Sequence, residues 1–544
     1  MLTSDDIKSA EKLTGVTYTE QERLQILEVL EGQLLATKAR RDVSFAQGTS
    51  PALRFDPRLP DFSMPTNVAK PRLKATVGPL PERDEDIAFA SLPELAGWIE
   101  TGVLSSLRLT SIYLARIEAL NASLKCFATQ TPELALSQAK EMDAALEAGR
   151  YLGPLHGIPY GLKDLFDTAG IETAWGAEPY KDRIPDQDAT IVRKLREAGA
   201  VLLGKTSVGA LAYGDLWYGG RTRNPWNLDE GSSGSSAGSA SATAAGLCAF
   251  SIGTETLGSI TSPSERCGAT GLRPTFGRVS RHGAMPLCWS LDKVGPICRG
   301  VEDTALVLEI LNGPDSQDAT TISAPFTFNA SSDLGQLKLG YLPEAYGDDA
   351  TDNDFRTLDA IRSLGPSVEE VALPSLPYSA LMNIVFAEAA AAFEDLTLSN
   401  RDDLLCWQGS EAWPNIFRTA RFLSAVDHVQ LDRLRSLVMQ ALDQMFKEVD
   451  VLVGPFSTGP MLIASNFTGH PCLHMRAGFD DLPTRPDGSL LDLQDESEDR
   501  QSKTHRVPHG VSLWSGLFDE EKLIAVGLAL EETLGVSTAR PDLP

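Results

Sequence analysis

GSSGSSAGSASATAAGLCAFSIGTETLGSITSPSERCGATGLR, residues 231–273, is the stretch on which the reading of this chain turns. A Gly/Ser tract runs into an Ala-rich segment of helical composition, then an apolar strand-like run, then a second small-residue turn with another serine, TETLGS at 254–259. A Gly/Ser tract on its own reads as a flexible linker. A linker, however, has no reason to lead into regular structure on both sides of a second turn. In a tight turn several backbone amides can point at one atom, so TETLGS could set a serine hydroxyl beside a group of N–H donors. That is an oxyanion hole with its nucleophile. A serine at its free pKa needs a base, usually histidine, and neither small-residue tract contains one. The alternative base is a lysine kept neutral by burial, because loss of water disfavours the ammonium form. HGIPYGLKDLFDTAG, 156–170, offers Lys163 after an apolar Gly/Pro turn, although a lysine in such a segment is by itself an ordinary surface charge.

Outward from this core the chain alternates helices with short apolar runs: SLPELAGWIETG at 91–102, LRLTSIYLARIEALNASL at 107–124, AVLLGKTS at 200–207 and LCAFSIGTE at 247–255. Such alternation predicts an α/β fold, a mixed or mostly parallel sheet covered by helices. A helical region over about 378–448 reads as an insertion before the strand-like VDVLVGPF at 449–456. The chain closes on a helix stopped by Gly535. At its start, amphipathic helices are predicted over about 4–13 and 20–41, the second capped by Thr19. Seven prolines between 47 and 82 then read as an extended strap. The expected organisation is a helical extension (1–46), a Pro-rich strap (47–83) and a catalytic domain (84–544). The stripe of Leu24, Leu27, Val29, Leu30 and Leu34 has nothing local to bury it, so the helical pair reads as an interaction element, with a homodimer as the expected assembly. The Gly-, Pro- and acid-rich segment 479–503 reads as a solvated surface loop.

PLHGIPYGLKD, GSSGSSAGSASATAAG, GTETLGSITSPSERCGATGLRPTFGRVSRHGAM and LDKVGPICRGVEDTA resemble, in order and spacing, the amidase signature family of Ser–Ser–Lys hydrolases. Weaker likeness runs from about Leu92 to the C-terminus, through RNPWN at 223–227 and NFTGHP at 466–471. The resemblance implies the amidase signature fold, with a central mixed sheet covered on both faces by helices. It implies that Ser259 is the acylated nucleophile and Lys163 the deep general base. Ser235 is the bridging serine after a cis peptide bond, and Ser236 supports the lysine. The amides of Thr256, Leu257, Gly258 and Ser259 line the oxyanion hole, and no metal or cofactor takes part. Two departures stand close to the nucleophile: Leu257 replaces a glycine and Thr261 an arginine of the usual family turn. The first narrows or greases the pocket; the second counts against carboxylate-bearing substrates. Trp217, Tyr218 and Trp289 are candidates for the pocket wall, while His156 and His470 read as structural.

The expected activity is therefore an amidohydrolase acting on a neutral, apolar small-molecule carboxamide or anilide, with esters and carbamates as further substrates. The alternative is the glutamine-hydrolysing A subunit of an aminoacyl-tRNA amidotransferase. Two other classes fit less well. An α/β-hydrolase esterase is suggested by GxSxG at 234–238, but it needs a strand before the serine, and RNPWNLDEGSS does not read as one. A non-catalytic interaction protein would leave Lys163, Ser235 and Ser259 idle. Composition narrows the field from the other side. With 42% hydrophobic and 22% charged residues the chain is globular in type, and its net charge of −26 repels phosphate backbones, so autonomous nucleic-acid binding is not expected. No apolar run reaches the roughly 20 residues of a membrane helix, and MLTSDDIKSAEKL does not read as a secretory signal. Seven scattered cysteines without a CxxC pair favour a reducing cytoplasm.

Overall fold

Five runs of sequence, 159–163, 201–206, 250–255, 270–273 and 293–298, are buried on both sides almost throughout, which is what strands covered on both faces require. They form the middle of the sheet in a computed structural model that describes residues 2–43, 45, 49–66, 77–329, 334–485 and 503–543. Numbered in chain order, the sheet's strands are β1 (Phe127–Gln130), β2 (Pro159–Lys163), β3 (Val201–Thr206), β4 (Phe250–Glu255), β5 (Thr270–Arg273) and β6 (Lys293–Cys298). They continue as β7 (Lys338–Tyr341), β8 (Ser367–Glu370), β9 (Val451–Pro455), β10 (Cys472–Pro483) and β11 (Thr504–Ser515). Among the described residues the spatial order is β1-β3-β2-β4-β6-β5-β10-β11-β9-β7-β8. The triplets β3-β2-β4 and β9-β7-β8 are parallel and the remaining pairs antiparallel, so the sheet is mixed. Helices cover it on both faces, as expected of an α/β protein of this kind.

The parallel neighbours β2 and β4 matter most, because their C-terminal ends lie side by side. Leu162 stands opposite Ile252, which puts Lys163 at the same edge of the sheet as the turn following Glu255. The all-buried helix Ala237–Ala244 is built from small residues and can lie against β2, β3 and β4 together.

Several segments differ from the sequence reading. Residues Asn227–Gly231 do form a strand, paired with Arg223–Asn224 across a tight turn in which Asn224 accepts the Trp226 N–H at 3.1 Å. It is a two-stranded ribbon apart from the main sheet. Phe479–Pro483, expected in a loop, continue β10, because each residue finds a partner in β11 and Arg506 covers the Phe479 ring at 4.1 Å. Residues 486–502 of that expected loop lie outside the described residues. The region 378–448 is helical, as read from the sequence, and divides into several helices. It contains helices Met382–Ala392, Glu394–Leu398, Trp413–Thr419 and Ala425–Glu448, with stacked Phe393, Phe417 and Trp413 rings joining the first three.

The N-terminal helices span Ser4–Thr14 and Glu20–Arg41, the second capped by Thr19 and Glu22. Arg23 ties them together through Glu11 at 2.6 Å, and Arg40 reaches Glu394 on the body at 2.6 Å. Leu24, Val29, Leu34 and Leu35 are exposed. In its described part the strap lies along the body: Phe55 meets Phe276 edge-on and Phe62 meets Phe518. No helix among the described residues is long and apolar enough to cross a membrane.

Candidate active site

Lys163 ends β2 with no exposed surface. Its Nζ lies 2.9 Å from Ser235 Oγ, 2.9 Å from Ser236 Oγ, 2.9 Å from Thr254 Oγ1 and 3.3 Å from the Thr254 carbonyl oxygen. Burial drives its pKa well below the ordinary lysine value, against the opposing pull of Asp292 and Glu255. Hydrogen-bond accounting then assigns the neighbours. The Ser236 hydroxyl donates to the Thr254 carbonyl at 3.1 Å and accepts the Thr254 N–H at 3.2 Å, so towards Lys163 it can only accept. Ser235 and Thr254 carry the hydroxyls able to donate to a neutral Nζ. The peptide bond between Gly234 and Ser235 is cis. Gly234 itself cannot be replaced, since a Cβ there would collide with the Gly214 carbonyl.

The second half of the site is the turn after β4. Ser259 is buried, its carbonyl accepts the Ser236 N–H at 3.1 Å, and this bond fixes the two serine segments against each other. The amides of Thr256, Leu257, Gly258 and Ser259 make no hydrogen bond to another described residue. Backbone N–H groups without a partner in the protein are open to a ligand acceptor. Gly258 has a φ of 85°, which lets the turn close where a side chain would be strained.

Glu255, which the sequence reading did not single out, holds this turn. Its Oε2 accepts the Ile260 and Thr261 amides at 2.9 Å each and the Thr261 hydroxyl at 3.2 Å. Its Oε1 accepts from Arg273 at 2.6 Å and from Asn466 at 2.9 Å. Burial alone would raise its pKa, but Arg273 and these donors hold it down at about 2. Thr261 is thereby turned inward onto Glu255. The Thr256 hydroxyl donates to Asp292 at 2.6 Å, and Asp292 also accepts the Leu287 and Cys288 amides.

A cavity of about 590 Å³ opens at Ser259. Leu257, Thr256, Ser233 and Gly234 line it together with Ser259, and so do the apolar and aromatic side chains of Tyr213, Met382, Phe386, Trp407 and Trp413. Trp217 and Tyr218 do not line it. They sit on a short ribbon, packed edge to face against each other, with the Tyr218 N–H bound to the Gly176 carbonyl. Trp289 lines a separate cavity of about 130 Å³ behind Thr254 and Thr256. The aromatic lining therefore comes from Tyr213 and from the 378–448 region, whose chemistry has no local signature. His156 and His470 are tied to Met142 and Thr468 respectively, and burial lowers the His470 pKa to about 3. Among the described residues no three His, Cys, Asp or Glu side chains converge as a metal site.

The amidase family model matches residues 108–524. The chain belongs to the amidase family. Amidase-family relatives include the A subunit of the glutamyl-tRNA(Gln) amidotransferase of Bdellovibrio bacteriovorus, 30% identical over 494 residues, covering 84% of this chain and 100% of that one. Its counterpart from Geobacter metallireducens is 32% identical, covering 83% and 99%. Among solved amidase-family structures, the peptide amidase of Stenotrophomonas maltophilia superposes with a TM-score of 0.70 at 29% identity, over 84% of this chain and 99% of that one. These relatives support amide hydrolysis in general, and the sequence relatives favour the amidotransferase alternative over a stand-alone amidase.

Proposed function

We propose that this chain hydrolyses the C–N bond of a linear carboxamide through an acyl-enzyme on Ser259, with Ser235 and Lys163 moving the proton. The observation that supports this most is a fully buried lysine amine within 2.9 Å of Ser235, beside a turn of unpaired amides that carries Ser259. Neutral Lys163 takes a proton from Ser235 as Ser235 takes one from Ser259, and Ser259 Oγ adds to the carbonyl carbon. The oxyanion formed is received by the amides of 256–259. When the C–N bond breaks, Ser235 gives its proton to the leaving nitrogen and recovers one from Lys163. Water then adds to the acyl ester over the same relay, releasing the acid and restoring Ser259.

Much of the cavity lining is apolar and aromatic, and Thr261 is engaged with Glu255. That favours a small-molecule amide with no carboxylate on its acyl part, with esters and carbamates as secondary substrates. The second reading, glutamine hydrolysis as the A subunit of an amidotransferase, is favoured by the curated relatives. Arg266, farther along the same helix as Thr261, lines the cavity and gives that reading a basic side chain, although Glu230 stands 3.6 Å from it. We assign the activity to a domain over 84–544, preceded by the strap and by a helical pair that joins two copies in a homodimer. The seven unpaired cysteines favour a reducing compartment, the cytoplasm.

The test is a panel of primary amides, anilides, carbamates and esters at pH 7–9, run with wild type, Lys163→Ala and Ser259→Ala. Turnover lost in both variants supports the hydrolase. Ammonia released from glutamine only with partner subunits present moves the assignment to the amidotransferase. Full activity in Ser259→Ala refutes both.

A further inference from the structure

The helix that follows the turn of Ser259, Thr261–Cys267, has two faces. Thr261 is buried against Glu255, whereas Ser262 and Arg266 are half-buried. Residues four apart lie on one face of a helix, and both of these line the cavity at Ser259. Ser262 Oγ is 3.1 Å from Ser233 Oγ. Ser233 stands two residues before Ser235, the group that hands its proton to the leaving nitrogen in the proposed reaction. The face of Ser262 and Arg266 therefore borders the cavity on the side of the departing amine, and Arg266 lies about 6 Å farther along the helix than Ser262.

The charge of Arg266 is not spent within the protein. Its nearest carboxylate is Glu230, 3.6 Å from Nη1 and beyond hydrogen-bond reach. Both oxygens of Glu230 are taken by other donors. Arg485 reaches one of them through its backbone N–H at 2.9 Å and its Nε at 3.3 Å, and the other through Nη2 at 2.7 Å. Asn224 donates to that second oxygen at 2.7 Å. One carboxylate thus stands between two guanidinium groups and leaves a net positive charge. Arg266 Nη1 is buried and has no hydrogen-bond partner among the described residues. Such a donor is costly until an acceptor is supplied. The other charged groups lining the cavity do not supply one: Asp215 accepts from Arg221 at 2.8 Å and from the Ser233 N–H at 3.0 Å, and Glu411 is exposed, where water and salt screen it.

We infer that Arg266 receives an anionic group, a carboxylate above all, carried on the amine half of the substrate at a distance from the scissile nitrogen. The substrate class is then an apolar acyl group joined in amide linkage to an acid-bearing amine. Assignment to the amine half rests on the proposed hydrolysis and its use of Ser235; the anion site itself does not. An arginine presents a planar fork of donors to a carboxylate, which a point charge cannot do.

Phenylacetyl amides of 4-(aminomethyl)benzoate and of 4-nitrobenzylamine decide it, because carboxylate and nitro groups match in shape and differ in charge. A preference of about tenfold or more in kcat/KM for the carboxylate member is expected. In Arg266→Gln that ratio should fall to within about threefold, through KM. The ratio is taken within one preparation, so a loss of folded enzyme cancels. A third amide, 4-carboxyphenylacetyl benzylamide, moves the acid to the acyl half and should gain nothing over its nitro counterpart. Equal rates for the first pair, a ratio unmoved by Arg266→Gln, or a larger gain with the acid on the acyl half overturns the inference. Calorimetric titration of Ser259→Ala with the first two amides separates the site from the reaction. If neither turns over but the carboxylate binds the tighter, and adding Arg266→Gln removes the difference, the hydrolytic proposal fails and the anion site stands. If the nitro amide binds as tightly, the anion site fails, whatever the hydrolytic result.

Discussion

Glu255→Gln is the substitution whose cost the structure specifies most fully. One carboxylate oxygen accepts the Ile260 and Thr261 amides, and the other accepts Arg273 and Asn466. A glutamine has one acceptor and one donor where the glutamate has two acceptors. If its oxygen faces the amides, its NH2 meets the guanidinium of Arg273; if it flips, its NH2 meets two backbone N–H groups. Either orientation loses two charge-assisted hydrogen bonds, and Arg273, which has no exposed surface, loses its counter-charge. Such bonds contribute about 1.5–3 kcal/mol each, and breaking a buried ion pair from one side costs about 3–5 kcal/mol. We expect Glu255→Gln to destabilise by about 3–5 kcal/mol in urea titration and to lower kcat, because the turn carrying Ser259 is no longer held. The pH dependence has a defined sign. With a folded pKa of about 2 against an ordinary 4.5, the carboxylate's contribution is complete above pH 4.5 and is lost as pH falls through 2. Pairing Glu255→Gln with Arg273→Met removes the stranded charge, so stability should partly return while kcat stays low. Wild-type stability and wild-type kcat in the single variant would refute the reasoning.

Lys163→Met should lower kcat by at least about a thousandfold, and wild-type kcat/KM should rise with pH as the amine deprotonates and level off well below the ordinary lysine pKa, whereas a loss of activity as pH rises through the acid range would contradict a lysine base. His509 bridges Asp354 and Asp480 at 2.8 Å each; burial would lower its pKa, but Asp354, with Glu265 and Asp480, lifts it to about 9. Its contribution to stability is thus complete below pH 6.5 and lost as pH rises through 9, and thermal denaturation of His509→Gln between pH 6 and 10 should lack that alkaline decline. Thr261→Val removes the 3.2 Å hydroxyl bond to Glu255 and the longer 3.5 Å contact with the Gly258 carbonyl, so urea titration should find about 1 kcal/mol lost, well short of the Glu255 effect.

The proposed catalytic half of the candidate site is legible in the sequence because the chemistry it offers is local: the turn 256–259 and the tract 231–238 each place their serines and amides within a few residues. Lys163 becomes meaningful only through the family resemblance, since nothing in GLKD distinguishes a buried amine from a solvated one. Glu255 is within sight, inside TETLGS, but its partner Arg273 comes from β5 and Asn466 from a distant helix, and only the fold brings them together. The expected aromatic wall falls on Trp217, Tyr218 and Trp289, which are neighbours of the catalytic tracts in the chain and not of the cavity. Trp407 and Trp413 lie far along the chain, and their role depends on how separate helices pack. Asn227–Gly231 escapes a sequence reading as a strand because its pairing needs only a short ribbon and no apolar alternation.

Lys163 and the turn bearing Ser259 are held in relation by the register of β2 and β4, in which Leu162 stands opposite Ile252. Adding or deleting one residue within β2 would send the lysine to the opposite face of the sheet, so inheritance can alter these strands by substitution but hardly by length. The segment 405–412 that carries Trp407, and the helix Trp413–Thr419 that follows it, carry no such constraint. A change of length in that segment would reshape the cavity wall and leave the spacing of Lys163 and the Ser259 turn as it is.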